Sequence, residues 1–251
     1  MTLPLYYANP GDIDTGADCV ALTGAEARHL ALSLSAKPDD RVLVADGMGE
    51  VYRASLTVVG PEMVKGLIEW RHHVEPELPG IILFQAIARI TKMDETVARA
   101  AESGIAAVVP FVAPRSPAGS ATRALQRLQR WRKIAWEESK VARRAFPLSV
   151  GETVDWPIDR RVFGEQEANF ILWENESSIG LRGALAGTPP RSIGLVVGPE
   201  GGFESDEVAV IGERGTVPVS IGDLILRTET AGAYVAMLIR YYYHLLEPPE
   251  V

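Results

Sequence analysis

The sequence predicts an α/β protein in which a small β-rich N-terminal domain, residues 1–73, precedes a larger domain, residues 81–251, built on a mostly parallel sheet. From Ile81 onward, short continuous apolar runs alternate with helical patterns, as expected of buried parallel strands joined by helices. Before residue 74, apolar runs flank tight turns, which is typical of hairpins. The segment between them, 74–80, contains two prolines, a glycine and two carboxylates and is the predicted linker.

Composition limits the classes of function that the chain can have. Its 251 residues are 47% hydrophobic and 23% charged, which is enough apolar material for a real core. The formal net charge of -8 argues against non-specific coating of nucleic acid, although an RNA enzyme can still gather its basic residues on one face. Cys19 is the only cysteine and the four histidines show no metal-ligand spacing, so no metal site is expected. Neither a secretory signal nor a membrane-spanning run is visible, and we expect a cytoplasmic protein without membrane contact.

The N-terminal domain is predicted to combine one short helix with a hairpin. Thr23 and Glu26 have the spacing of a capping box and predict a helix that reaches Leu34. Strands are predicted at 41–46, 51–59 and 64–70, the first two joined by a glycine-rich turn.

In the larger domain, strands are predicted at 81–87 and 106–112, with a helix from Thr91 to Gly104 between them. A long helix follows from Thr122 to about Arg144. We expect Leu125, Leu128, Trp131 and Ala135 to share one side of it, opposite a basic side.

The basic side of this long helix is a candidate RNA contact. Residues 123–144 hold eight basic and two acidic side chains, within a chain whose net charge is negative. Such a run is most often only a solvated face, but a local charge that opposes the whole favours a surface that follows phosphates.

The most informative stretch runs from Leu195 to Thr230. An apolar strand ends at Gly198-Pro199-Glu200-Gly201-Gly202, a helix begins near Glu204, and a second strand at 217–221 ends at Gly222. Glycines placed directly after a strand let the backbone approach a ligand closely, and the carboxyl ends of parallel strands are where open α/β sheets bind ligands. The alternative is a βαβ unit with ordinary tight turns. A phosphate-binding P-loop is excluded because no Gly-Lys-Ser/Thr follows the glycines, and the dinucleotide fingerprint is poorly met.

Two segments of this stretch carry a family resemblance. Residues 195–203 (LVVGPEGGF) and 221–231 (IGDLILRTETA) resemble the signature segments of SPOUT-class methyltransferases, and most closely those of the bacterial 16S ribosomal RNA uridine-N3 methyltransferases (RsmE-type). The resemblance implies a trefoil-knotted C-terminal domain that binds S-adenosylmethionine in three loops, and a homodimer formed through that domain. It also implies that residues 1–73 form a PUA-like β-barrel that contacts RNA, and that the partner is 16S rRNA or the small ribosomal subunit.

The resemblance also assigns candidate site residues. It implies that the end of strand 169–174 forms the first cofactor loop. The implied cofactor-binding residues are Leu172, Trp173, Glu174, Val197, Gly198, Glu200, Gly201, Ile221, Gly222, Leu226 and Thr228. The catalytic candidates are Arg227, Glu229 and Glu200, the two glutamates because they are the carboxylates of the signature segments and could accept a proton. The RNA-binding candidates are Lys92, Arg115, Arg123, Arg127, Arg130, Arg143 and Arg144.

The chain departs from the family pattern at two points on the expected RNA side. Leu224 stands where an arginine is usual, and Val141 replaces a polar residue. Both departures bear on the exact target uridine more than on the cofactor or the fold. Three alternatives stay open: a related enzyme that methylates a ribose 2′-oxygen of tRNA or rRNA, a non-catalytic ribosome assembly factor, and a nucleotide-dependent α/β enzyme.

Overall fold

The structure is a computed structural model that describes residues 3–117, 119–163 and 165–246, without the side chains of Ile90, Ser120, Arg123 and Arg160. Contacts between Cα atoms divide the chain into two compact units. The N-terminal unit holds residues 1–76 and 139–147, and the C-terminal unit holds 77–138 and 148–251. The sequence-based boundary at 74–80 stays a prediction, and it did not anticipate that residues 139–147 group with the N-terminal unit.

The N-terminal unit is built on one six-stranded sheet. Its elements are β1 (Leu5–Tyr7), β2 (Ile13–Asp14), β3 (Cys19–Thr23), α1 (Gly24–Arg28), β4 (Arg41–Ala45), β5 (Glu50–Val59) and β6 (Met63–His73). The strand order is β1-β4-β5-β6-β3-β2, in which β1 pairs parallel with β4 and the other pairs are antiparallel. Alternate side chains of β5 and β6, such as Tyr52, Ala54 and Val64, enter a core beneath the sheet, and this is why these strands show a period of two.

The C-terminal unit is built on a seven-stranded sheet that is parallel throughout. Its strands are β7 (Gly80–Ala86), β8 (Ala107–Val112), β9 (Ser149–Val150), β10 (Val154–Asp155), β11 (Ala168–Leu172), β12 (Ser192–Val197) and β13 (Thr216–Val219). Its helices are α2 (Ile90–Glu102), α3 (Ser120–Val141), α4 (Arg160–Phe163), α5 (Leu181–Ala184), α6 (Ser205–Gly212) and α7 (Thr228–Tyr242), with the last residues of α3 counted in the N-terminal unit. The order β10-β8-β7-β12-β11-β13, with β9 beside β8, places the strands before the three predicted cofactor loops next to one another.

This sheet is covered on both faces, as parallel sheets generally are. Leu83, Val97, Trp131 and Val235 belong to one apolar layer, which joins β7 to helices α2, α3 and α7. Phe84, Phe111, Phe163 and Ile211 belong to the layer on the other face. Helix α7 approaches β7 so closely that a Cβ added to Gly232 would meet the Leu83 side chain at 2.7 Å.

The predicted α/β class with a mainly parallel sheet after a β-rich N-terminal unit is confirmed, and the predicted knot stays a prediction. Several local details were wrong. Leu125 is 69% exposed and does not share the buried side of α3 with Leu128, Trp131 and Ala135. Thr23 precedes α1 but makes no capping hydrogen bond through its side chain.

In the part of the chain that the structure describes, no helix is both long and apolar enough to span a bilayer. Within the same residues, no three His, Cys, Asp or Glu side chains are grouped so that they could hold a metal ion.

Candidate functional site

A cavity of about 930 Å³ opens at the carboxyl edge of β11, β12 and β13. Its walls are three segments, 172–177, 197–203 and 219–228, each of which follows one of these neighbouring strands. Every sequence-predicted cofactor residue lines it: Leu172, Trp173, Glu174, Val197, Gly198, Glu200, Gly201, Ile221, Gly222, Leu226 and Thr228. Arg227 and Lys92 line it as well. Segments that are far apart in sequence meet because parallel strands end at one edge of the sheet.

The first two walls are tied together by polar contacts. Trp173 donates from its indole nitrogen to the Phe203 carbonyl at 3.2 Å. Gly202 has φ +67°, and a Cβ at this position would collide with the Glu174 carboxylate. Glycine is therefore required here for its conformation and for its lack of a side chain.

Arg115 braces the glycine-rich wall from outside. Its Nη1 donates to the Gly201 carbonyl at 2.6 Å, and its guanidinium also pairs with Glu204. Arg115, which the sequence predicted as an RNA contact, therefore holds the glycine-rich wall in this structure.

The third wall joins an apolar surface to the first turn of α7. Ile221 and Leu226 pack against the main core, whereas Leu224 and Ile225 are 78% and 86% exposed. Helix α7 begins at Thr228, within the second signature segment.

A buried hydrogen-bond chain connects this turn to the glycine-rich wall. The Gln85 side chain donates to Thr228 Oγ1 at 2.9 Å, and that hydroxyl donates to the Gly198 carbonyl at 2.5 Å. Gln85 is fully buried. Sequence reasoning did not assign Gln85 a role, although it is the one polar residue that interrupts the apolar run of β7 and could have drawn attention.

Lys92 and Glu229 form an ion pair at the base of the cavity. Lys92 Nζ donates to Glu229 Oε2 at 3.1 Å and lies 4.0 Å from Glu200 Oε1. The Glu229 side chain is 6% exposed and is not part of the cavity lining, whereas Glu200 is 30% exposed and lines it. Lys92, a predicted RNA contact, thus bridges the two carboxylates that were predicted to be catalytic.

The environment of Glu229 keeps it ionised. Burial by itself raises the pKa of this carboxyl. Its own backbone N–H and the Lys92 ammonium outweigh burial, with a further contribution from Arg227, and the pKa lies below its ordinary value of 4.5. A carboxylate with a lowered pKa is a weaker proton acceptor, so this shift is opposite to the one that a general base needs.

The domain that contains this cavity matches a known protein family. Residues 76–240, which include the whole cavity, match the RNA methyltransferase domain family, and residues 22–69 match the RNA methyltransferase PUA domain. Ribosomal RNA small subunit methyltransferase E of Mycobacterium bovis is 31% identical over 240 residues, which cover 93% of this chain and 89% of the relative. The chain belongs to this family of RNA methyltransferases.

Other members agree in length and in fold. The Bacillus subtilis ribosomal RNA small subunit methyltransferase E is 27% identical over 92% of this chain and 93% of its own length. The crystal structure of the Neisseria gonorrhoeae family member, bound to S-adenosyl methionine, superposes with a TM-score of 0.82 at 26% identity and covers 96% of this chain and 98% of that one. The PUA-like character of the N-terminal unit and the methyltransferase character of the C-terminal unit are thereby confirmed.

The basic residues of α3 do not form one uniform face in this family member. Arg130 donates twice to Asp94, at 2.8 and 3.0 Å, and Arg127 is half-buried. Arg143 is exposed with φ +55°, and Arg144 donates from Nε to the Phe146 carbonyl at 3.0 Å. The side chain of Arg123 lies outside the described part of the chain.

Lys140, one of the eight basic residues of 123–144, is buried in the N-terminal unit. Its Nζ donates to both Glu26 oxygens, at 2.9 and 3.1 Å. Helical periodicity could not reveal this pairing, because Glu26 lies 114 positions away.

Proposed function

We propose that the protein transfers a methyl group from S-adenosylmethionine to N3 of one specific uridine in 16S ribosomal RNA of the small subunit. Membership of the RNA methyltransferase family supports the reaction class. The observation that carries the cofactor assignment is that all eleven predicted cofactor residues line one cavity at the carboxyl edge of the sheet. The uridine-N3 specificity rests on the two signature segments at 195–203 and 221–231.

The residues of the cavity suit this cofactor. Leu172, Val197, Ile221 and Leu226 offer apolar walls for an adenine ring, and the glycine-rich segments bring main-chain N–H and C=O groups close to a ligand. Four carboxylates line the cavity against two basic groups, and this excess of negative charge favours a positively charged ligand. The acidic residues are Glu174, Glu176, Glu200 and Asp223, and the basic ones are Lys92 and Arg227. When bound, S-adenosylmethionine supplies an electrophilic methyl group carried on a positive sulfur.

The residues around the cavity have separable roles in the proposed reaction. Glu200 lines the cavity and accepts the Arg89 N–H at 3.2 Å, so it is the better placed acceptor for the uracil N3 proton, directly or through water. Glu229, buried and held ionised, fixes Lys92 between the two carboxylates. Arg227 is 82% exposed at the cavity mouth, where it can orient the RNA by a phosphate or a uracil oxygen.

The proposal also includes contacts with RNA and the association of two copies of the chain. Arg115 is 41% exposed beside the glycine-rich wall, and Arg127, Arg130, Arg143, Arg144, Arg123 and Lys92 remain proposed RNA contacts. Helix α7 exposes Tyr234, Met237, Leu238 and Tyr241, an apolar stripe that a second copy of the chain would cover in a homodimer. We propose the trefoil knot for the same domain, on the resemblance alone.

The test is transfer of a labelled methyl group from S-adenosylmethionine to small ribosomal subunits that lack the modification, and to naked 16S RNA. We expect label in RNA and greater incorporation with one of the two substrate forms, which would identify the natural one. Binding of S-adenosylmethionine without transfer to either form would contradict the proposal and favour an assembly factor.

A further inference from the structure

Strand β6 carries an aromatic pair on an exposed face of the N-terminal unit. Trp70 and His72 are two positions apart and therefore point to the same side of the strand. Their rings are stacked, with centroids 5.5 Å apart and planes within 13°. Trp70 is 45% exposed and His72 is also exposed, so the pair does not fill the core of this unit.

Two arginines lie near the Trp70 end of this pair. Arg53 lies directly opposite Trp70 in the β5–β6 ladder. Arg53 and Arg41 both donate from Nε to the Glu69 carboxylate, at 3.2 and 3.1 Å. One carboxylate is thus shared by two guanidinium groups, and the cluster keeps a net positive charge.

A strand irregularity creates this arrangement. The register of β5 against β6 shifts between Arg53 and Ala54, whose partners are Trp70 and Ile68, so that Glu69 is the extra residue. Such a bulge re-aims the side chains that follow it. After the bulge, every residue from Trp70 to His73 is exposed, whereas buried and exposed residues alternate before it, from Met63 to Leu67.

The net charge of this cluster is positive, whereas the N-terminal unit as a whole has more acidic than basic side chains. Residues 1–76 and 139–147 together contain nine basic and eleven acidic side chains. A positive cluster next to stacked rings in an otherwise acidic region is therefore a specific feature, and it is the combination that proteins use to hold single-stranded nucleic acid.

We propose that Trp70 and His72 form a stacking platform for an unpaired base of the RNA substrate, with Arg41 and Arg53 contacting the adjoining phosphates. The inference rests on the proposed function in so far as that function supplies an RNA substrate. An unpaired base fits because its face can continue the stack, whereas the bases of a duplex are already stacked on each other. Base–aromatic stacking of this kind is strong enough to change affinity by roughly tenfold or more per base.

The experiment compares Trp70→Ala, Trp70→Phe and the control Leu32→Ala, which alters an exposed apolar residue outside the platform. The binding probes are a fluorescent oligouridylate and an RNA duplex of the same length. Trp70→Ala should bind oligouridylate about tenfold more weakly, Trp70→Phe should stay within about threefold of the wild type, and Leu32→Ala should be unchanged. Duplex binding should respond far less to Trp70→Ala.

Methyl transfer provides the second readout and separates the two proposals. Trp70→Ala should raise the KM for RNA and leave both kcat and the KM for S-adenosylmethionine unchanged, because Trp70 does not line the cavity. Equal oligouridylate affinity for wild type and a folded Trp70→Ala, or equal losses on oligouridylate and duplex, would overturn the platform even if transfer is normal. If the wild type transfers no methyl group, the proposed function fails, while the oligouridylate comparison still decides the platform.

Discussion

Glu200 and Glu229 are close in space to the same ammonium group, yet the structure gives them different environments. Lys92 pairs with Glu229 at 3.1 Å and approaches Glu200 only to 4.0 Å. Glu200 faces the cavity, and Glu229 is buried beneath it in the first turn of α7. The same residue type is therefore suited to two functions, proton acceptance for Glu200 and positioning for Glu229.

Glu200→Gln should lower kcat about 100-fold, because an amide cannot accept the N3 proton. Binding of S-adenosylmethionine, measured by calorimetry, should stay within about twofold of the wild type. Full activity of Glu200→Gln would remove it as the acceptor.

Glu229→Gln should change the pH dependence of stability. The pKa of Glu229 is lowered in the folded state, so the ionised carboxylate contributes stability that is fully present above the unfolded pKa of about 4.5 and is lost as pH falls through the folded value. At pH 7 the variant should be less stable by about 1–3 kcal/mol, because it breaks a largely buried pair. Urea unfolding at pH 7 and near pH 3 should show this difference shrinking in acid. A difference that does not depend on pH would contradict the ion pair.

At the level of single residues, the sequence indicated which residues line the cavity, but not which residues hold those lining residues in place. Glycines and apolar residues directly after strands mark where backbone can meet a ligand, so these residues could be assigned by pattern and resemblance. The supports depend on long-range pairing. Gln85 lies 143 positions from Thr228, and Lys92 lies 137 from Glu229, and no local pattern encodes such distances.

Among the elements, the segment between β12 and α6 has a strict geometric requirement at Gly202. A Cβ at Gly202 would meet the Glu174 carboxylate, and φ +67° is unfavourable for any residue with a side chain.

Gly202→Ala should therefore reduce stability by about 1–2 kcal/mol because of the positive φ, and weaken S-adenosylmethionine binding about tenfold because the Glu174 carboxylate, which lines the cavity, must move. Gly187→Ala is the matched control, since Gly187 has φ +111° with open space around its Cβ position and does not line the cavity. The control should lose stability without losing affinity in calorimetry. Equal affinities of the two variants for S-adenosylmethionine would show that cofactor binding does not depend on the space between Gly202 and the Glu174 carboxylate.

Long periodic elements were predictable from the sequence, and short ones were not. Strands β4 to β8, β11 and β12 and helices α2, α3 and α7 follow clear apolar patterns. Strands β2, β9 and β10 have two residues each, too few for any period to show. The ends of helix α3 lie two and three residues from the predicted ones, at Ser120 and Val141, because tertiary packing decides where a helix begins or ends.

At the scale of the whole molecule, helix α7 carries the surface that we propose to bind a second copy of the chain. On one side of α7, Tyr241 is 72% exposed and Leu238 is 51% exposed. On the opposite side of the helix, Val235 and Ile239 are fully buried. An apolar stripe of this kind on a surface helix is typical of an interface.

Leu238→Glu should therefore convert a dimer to a monomer at micromolar concentration, as measured by light scattering, because it buries a charge in the interface. Val210→Glu, on α6 and 40% exposed, is the control and should leave the dimer intact. A monomeric wild type, or a dimeric Leu238→Glu variant, would contradict a homodimer built on this side of α7.

The measurement that tests the central claim most directly is the identity of the methylated nucleoside. Small subunits that lack the modification are incubated with the protein and labelled S-adenosylmethionine, and the RNA is digested to nucleosides and separated by mass. The account predicts that the label is in 3-methyluridine. Label in a ribose-methylated nucleoside, or in any base other than uridine, would contradict it.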